Sequence, residues 1–106
     1  MQICDIQRIV REEISRCETF DNSHGITTRN LKEFLVEPFR VCTDPDDEQS
    51  PPRDMWVVLE EQPGNSDGYA VAYDPAVSGW GVVERASKGY VLVCAADSLA
   101  SALASM

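Results

Sequence analysis

Residues 54 to 95 alternate between short hydrophobic runs and turn-forming residues. Four runs are rich in Val, Trp and Tyr, and Pro, Gly, Asn, Asp and Ser separate them. Runs of this length between such residues are typical of antiparallel strands in a meander. The alternating tetrapeptide F-R-V-C adds a shorter first strand. The pattern predicts strands at about residues 39–42, 55–61, 68–74, 79–85 and 89–95.

Helical periodicity flanks this predicted sheet on both sides. Near the N-terminus, Ile3, Ile6 and Val10 recur at intervals of three and four, which places them on one apolar stripe. Asp97 is a candidate N-cap for the last helix. The predicted helices span about 3–20, 28–36 and 97–105. The pattern therefore predicts an α+β fold, in which two N-terminal helices and one C-terminal helix pack against an antiparallel sheet of four to five strands.

The chain of 106 residues has the length of a single domain. We expect that domain to span residues 1–106, with one exposed loop at 43–54 that contains five acids and three prolines. No apolar run is long enough to cross a bilayer, and the first residues have no secretory signal pattern. These features favour a soluble, cytoplasmic protein. Its four cysteines are then expected to be buried, reduced thiols.

Negative charge is concentrated in the second part of the chain. The formal net charge is −9. Residues 1–40 contain seven acids and six bases, whereas residues 41–106 contain eleven acids and three bases. This excess argues against nucleic acid and anionic membranes as partners, because both are bound through Lys and Arg. It favours a basic protein partner, although acidic surfaces also serve solubility alone.

The lengths of the two loops after the second and third strands predict a register for the sheet. If Glu61 pairs with Gly68 and Asp74 pairs with Gly79, three aromatic side chains form one row across three strands. Those side chains are Trp56, Tyr73 and Trp80. The same register places Glu60, Tyr69 and Glu84 in another row on that face. The opposite face then carries mainly small and aliphatic residues.

Both faces of the predicted sheet are largely apolar, and two arrangements account for this. Helices can cover the small-residue face and leave the aromatic face open to a partner, a ligand or a second subunit. Alternatively, the aromatic face is the core. The first arrangement makes the aromatic face a binding site. The candidate binding residues are Trp56, Tyr69, Tyr73, Trp80, Glu60 and Glu84.

The sequence contains no motif that defines a catalytic centre. Its single histidine, His24, lies in a turn sequence, and the cysteines lack the close spacing of zinc ligands. Glu60 and Glu84 are candidates for acid–base chemistry, although charges near strand ends are ordinarily solvated. We therefore expect no catalytic residue, no metal and no cofactor.

Two functions are compatible with these features. The first is a non-enzymatic protein-interaction module of the adaptor, inhibitor or neutralising type, which binds a basic partner. The alternative is a small-molecule binder or small enzyme with a pocket at the aromatic sheet face. Self-association through the sheet, which would give a homodimer, is a further expectation.

Overall fold

A computed structural model describes residues 2–16, 25–27, 29–45, 51–61, 68–86 and 89–106. Within these ranges the chain forms three helices and five strands. In chain order they are α1 (Ile3–Arg16), α2 (Leu31–Phe34), β1 (Leu35–Pro45), β2 (Arg53–Glu60), β3 (Tyr69–Asp74), β4 (Gly79–Ala86), β5 (Gly89–Ala96) and α3 (Leu99–Ser105). The predicted α+β fold with a five-stranded antiparallel meander is confirmed. None of the helices in the described ranges combines the length and apolar content needed to span a bilayer.

The five strands curl into a closed barrel. Each strand pairs antiparallel with the next along the chain, and β5 returns to pair with β1 in parallel. The closing ladder is short, with Thr43 opposite Tyr90, Asp44 opposite Val91 and Pro45 opposite Leu92. This closure was not predicted from the sequence. A parallel pair between residues more than 40 positions apart needs no tight turn, so no local turn sequence reports it.

Strand β1 is longer at both ends than predicted. At its start, α2 is a single turn, and the chain is already extended from Leu35 onward. Pro38 explains part of this difference, because a proline disfavours helix at the residue before it. At the other end, Thr43 is buried and its hydroxyl donates to the Arg53 carbonyl oxygen at 3.1 Å. The predicted loop at 43–54 is therefore shorter, since its first and last residues continue β1 and begin β2.

The predictions for the end of the first helix and for the cysteines are not confirmed. The predicted first helix extended to residue 20, and residues 17–20 lie outside the described ranges, as do His24 and Cys17. The expectation of buried cysteines was wrong for Cys4 and Cys42, which are exposed and free. Both lie off the buried positions of their elements: Cys4 is outside the α1 stripe, and Cys42 precedes the buried Thr43 in β1.

The predicted register is correct for β3 and β4 and only half correct for β2. Trp56 pairs with Tyr73, and Tyr73 pairs with Trp80, so the aromatic row exists. A β-bulge at Val58 then shifts the β2–β3 ladder by one residue. Beyond the bulge, Glu60 pairs with Ala70 instead of Tyr69. Because one residue of shift moves a side chain to the other face, the predicted row of Glu60, Tyr69 and Glu84 was wrong for Glu60.

The two faces of the sheet form two separate hydrophobic clusters. The inner face encloses a narrow barrel core, and the outer face packs against α1 and α3. The inner cluster contains Met55, Val57, Ala70, Ala72 and Val83. The outer cluster combines the aromatic row with buried helix residues, namely Ile6 and Val10 of α1 and Leu99, Ala102 and Leu103 of α3. Each large apolar side chain buried in this way contributes about 1.5–3 kcal/mol to stability.

The barrel core is closely packed around Gly81. A Cβ atom built on this glycine would lie 2.7 Å from Leu92 Cδ1, 3.0 Å from the Cys94 carbonyl oxygen and 3.4 Å from Met55 Cε. Leu92 and Met55 come from strands on either side of the interior, so neither can withdraw without disturbing the core. Barrels of few strands have little interior volume, and a glycine at this position lets the strands approach.

We predict that Gly81→Ala destabilises the protein by about 1–3 kcal/mol, because the added methyl group overpacks the barrel interior. Chemical denaturation of both proteins measures the difference in the free energy of unfolding. Gly79→Ala is the matched control in the same strand. Its Cβ would lie 3.2 Å from the exposed Val77 side chain, which can move, and at an ordinary contact distance of 3.9 Å from the Ala96 carbonyl oxygen. Equal stability of the Gly81→Ala variant and the wild type would contradict this packing account.

Candidate functional site

The aromatic row is buried beneath the helices. Trp56, Tyr73 and Trp80 are 9%, 5% and 4% exposed, respectively. The Tyr73 and Trp80 rings contact each other with centroids 4.8 Å apart. Of the two arrangements that the sequence left open, the structure adopts the one in which the aromatic face is part of the core. Any ligand must therefore reach these rings at the edges of the helices.

The Arg40 guanidinium lies over the Trp56 ring. The Arg40 guanidinium lies 5.9 Å from the centre of the indole ring, a distance suited to a cation–π contact. The same guanidinium approaches the Asp54 carboxylate at 3.8 Å in an exposed ion pair. This side of the aromatic row is therefore occupied by a side chain of the protein itself.

The other three candidate residues lie at the opposite end of the strands. Tyr69 begins β3, four residues before Tyr73, which corresponds to roughly 13 Å along the strand. Tyr69 pairs with Glu84 on the outer face, whereas Glu60 is on the inner face. The Tyr69 amide donates to the Glu61 carboxylate at 3.0 Å. The structure thus brings together Tyr73 and Trp80 but not all six candidate residues.

An open cleft, which we call the Trp80 cleft, lies beside Tyr73 and Trp80 at the end of the barrel. It has two adjoining lobes of about 340 Å³ and 180 Å³ that share Ser78, Trp80 and Asp97. The larger lobe is also lined by Arg53, Asp74, Val77, Gly79, Ala95 and Ala96. The smaller lobe is also lined by Ile9, Glu12, Glu13, Arg16 and Tyr73. The cleft therefore lies between α1, the β3–β4 turn and the segment that joins β5 to α3.

The β3–β4 turn forms one wall of the cleft, and Asp74 holds it in place. The Asp74 carboxylate accepts a hydrogen bond from the Ala76 amide at 3.0 Å, as an aspartate at the start of a turn commonly does. Its other oxygen lies 3.7 Å from the Arg53 guanidinium. Asp74 is almost fully buried, so this ion pair and the turn hydrogen bond compensate for its loss of hydration. Ser78 completes the turn in the left-handed region, with φ of 51°.

The opposite wall is the beginning of α3, which α1 helps to fix. The Ser98 hydroxyl accepts a hydrogen bond from the Ser101 amide at 3.1 Å, and Ser98 is the N-cap in place of the expected Asp97. The Leu99 amide donates to the Glu13 carboxylate of α1 at 3.1 Å. Two otherwise unsatisfied amides of the first turn thus find side-chain acceptors. Asp97 therefore does not cap the helix, and its side chain is exposed and lines the cleft.

The charged groups of the cleft differ in their partners. Asp74 and Glu13 are engaged as described above. Glu12 and Asp97 are exposed, and within the described part of the chain their carboxylates have no hydrogen-bond or ion-pair partner. The described residues that line the cleft include four acids and two arginines, which together carry a formal charge of −2. The cleft is therefore suited to a cation.

Tyr73 and Trp80 each contribute one polar side-chain atom to the residues that line the cleft. Neither the phenol oxygen nor the indole nitrogen has a hydrogen-bond partner among the described residues. In the same part of the chain, no fully buried side-chain nitrogen or oxygen lacks a partner. Both atoms must therefore reach solvent, and both side chains line the smaller lobe. An open phenol accepts or donates a hydrogen bond, whereas an open indole N–H only donates.

A second, larger concavity lies on the other side of α1, and we call it the bulge groove. Its volume is about 570 Å³. It forms where the register shift at the start of β1 faces the bulge at Val58. Its floor is mainly aliphatic and its rim carries polar side chains. The lining residues are Gln7, Val10, Arg11, Leu35, Val36, Glu37, Pro38 and Val58. None of the six candidate residues contributes to it.

Sequence reasoning did not find most of the cleft residues. Glu12 is not part of the apolar stripe predicted for the first helix, and Asp97 was expected only as a helix cap. Arg53 and Asp74 lie more than 20 positions apart, and the β2–β3 pairing brings them together. The one local signal was the turn sequence D-P-A-V-S-G, which placed a turn after Asp74 without indicating what it would face.

No protein-family model, curated protein or solved structure matches the chain significantly. Among the described residues, no three His, Cys, Asp or Glu side chains come together as metal ligands would.

We predict that the native protein shows blue-shifted tryptophan emission and weak quenching by acrylamide, because both indoles are at least nine-tenths buried. Stern–Volmer titrations of the native protein and of the protein unfolded in guanidinium measure the difference. We expect a quenching constant several-fold lower for the native protein. Similar constants in the two states would show that the helices do not cover the aromatic row.

Proposed function

We propose that this protein is a non-enzymatic protein-interaction module, and that it binds a basic partner at the Trp80 cleft. The observation that carries the proposal is that Glu12 and Asp97, whose carboxylates have no partner within the described part of the chain, line the same lobe as Tyr73 and Trp80. A cation from a partner would satisfy these carboxylates. The concentration of negative charge in residues 41–106 adds long-range attraction for such a partner.

The size and openness of the cleft favour a protein partner over a free small molecule. Its lobes, at about 340 Å³ and 180 Å³, lie at or below the lower end of the range for small-molecule pockets. Val77 stands 64% exposed on the β3–β4 turn and lines the larger lobe. An exposed apolar residue beside polar groups is the composition of a protein interface, where apolar contact and hydrogen bonds are combined.

We expect binding to weaken when the two open carboxylates are neutralised. Two exposed charge pairs, worth up to about 1 kcal/mol each, correspond to roughly a tenfold change in affinity. The test compares the wild type with the Glu12→Gln/Asp97→Asn variant in affinity capture from native lysate of the source cells. We expect basic proteins on the wild type, released as salt is raised, and roughly tenfold less on the variant.

The matched control is Glu33→Gln/Asp54→Asn, which changes the net charge equally at exposed acids outside the cleft. This control should retain the captured proteins. Equal losses in both variants would indicate attraction by net charge alone, and undiminished capture by the cleft variant would contradict the proposal.

Small-molecule binding is a second candidate function, and the bulge groove favours it. At about 570 Å³ with an aliphatic floor, the groove lies within the usual size range of ligand pockets. Its location differs from the aromatic-face pocket expected from the sequence.

A ligand of the bulge groove would raise the melting temperature in proportion to its concentration and affinity. Screening of small apolar carboxylates and amides by thermal shift tests this second function. Arg11→Ala, at the groove rim, should reduce the shift produced by carboxylates while leaving that produced by neutral amides. A screen without any concentration-dependent shift would remove this candidate.

A further inference from the structure

We infer that the smaller lobe of the Trp80 cleft is a recognition site for a single arginine side chain presented by a peptide segment of the partner. The inference rests on the proposed function and specifies the chemistry of its partner. It depends on five groups that line or flank the lobe: Glu12, Asp97, Tyr73, Trp80 and Ser78.

The charged residues that line the smaller lobe are mainly acidic. Among the described residues that line the smaller lobe, the acids are Glu12, Glu13 and Asp97 and the one base is Arg16. Glu13 already accepts the Leu99 amide, so the two remaining carboxylates come from different elements, α1 and the β5–α3 segment. They face one small space without a cationic partner among the described residues. A single positive charge between them would relieve their mutual repulsion.

The two aromatic residues of the lobe carry hydrogen-bonding groups. Tyr73 and Trp80 are more than nine-tenths buried, and within the described part of the chain their polar atoms have no hydrogen-bond partner. Tyr73 lines the same lobe as the two carboxylates, and its phenol oxygen can act as an acceptor. A guanidinium presents five N–H donors in a planar fork and can reach several acceptors at once, whereas an ammonium is a compact charge with three donors. The arrangement of acceptors therefore favours arginine over lysine.

A peptide segment suits the cleft better than free arginine, because it also brings a backbone carbonyl oxygen. The Trp80 indole N–H is a donor, and it cannot serve a cation. It can donate to a backbone carbonyl oxygen of the segment that carries the arginine. The Ser78 hydroxyl, shared by both lobes, can accept from or donate to the same backbone. The larger lobe is then available to the next part of the segment, against Val77 and Ala96.

The test uses N-acetyl-arginine amide as the probe and the isosteric, neutral N-acetyl-citrulline amide as its control. The protein has two tryptophans, so each indole N–H gives one signal in a ¹⁵N–¹H correlation spectrum. We expect the arginine probe to shift the Trp80 signal saturably and to leave the Trp56 signal in place. One side chain alone should bind weakly, with half-saturation in the roughly millimolar range.

Two variants examine the acceptors separately. Asp97→Asn should weaken the probe about fivefold to tenfold, and Tyr73→Phe about threefold to fivefold, as expected for the loss of one charged and one neutral acceptor. The phenylalanine keeps the ring that packs on Trp80, so the fold is retained. Asp54→Asn, outside the cleft, should leave the half-saturation concentration unchanged.

Three outcomes would overturn the inference. They are the absence of a saturable Trp80 shift, equal binding of the citrulline probe, and equal or tighter binding of N-acetyl-lysine amide. If one of these occurs while capture of basic proteins still depends on Glu12 and Asp97, the arginine site is wrong and the proposed function stands. If that dependence is also missing, both are wrong.

Discussion

The narrow interior of the closed barrel is the constraint on which the rest of this structure depends. Five strands leave little internal volume, and the close approach of Leu92 and Met55 at Gly81 shows that this volume is filled. The fully buried members of its core cluster are Met, Val and Ala residues, and Tyr90 packs against them while only partly buried. The rings of Trp56, Tyr73 and Trp80 are not part of this cluster. They lie on the outer face, where α1 and α3 cover them. The two helices are thus required by the barrel geometry, because without them three aromatic rings would be exposed to water.

The Trp80 cleft exists because α1 and α3 cover the outer face of the sheet incompletely. Two helices cross a curved surface and meet it along lines, so gaps remain at their edges. Tyr73 and Trp80 line such a gap. The Glu13–Leu99 hydrogen bond joins the helices, while Asp74 and Arg53 fix the facing turn. The lobes are therefore framed by side chains whose positions are set by hydrogen bonds on both walls.

Features that depend on residues close together in the sequence were predicted correctly. A four-residue turn fixes the β3–β4 register, and alternation identifies the strands, so the Tyr73–Trp80 pair followed from the sequence. The bulge at Val58 did not, because an extra residue in a run of valines leaves the pattern of apolar residues nearly unchanged. It moved Glu60 away from Tyr69 and Glu84. The two open acids of the cleft were not predicted either, because only the packing of α1 against α3 brings Glu12 and Asp97 to the same lobe.

Exposed carboxylates are ordinary in an acidic protein, and solubility alone accounts for most of those found here. The acids of the Trp80 cleft separate into two kinds. Asp74 and Glu13 have structural duties, because each satisfies a backbone amide and one also holds an arginine. Glu12 and Asp97 have no such duty within the described structure. What distinguishes them from other surface acids is the space they share with Tyr73 and Trp80, two nearly buried aromatic residues whose polar atoms have no hydrogen-bond partner within the described residues. If the proposed function is correct, a cationic segment that brings both donors and a carbonyl acceptor would satisfy all four groups at once.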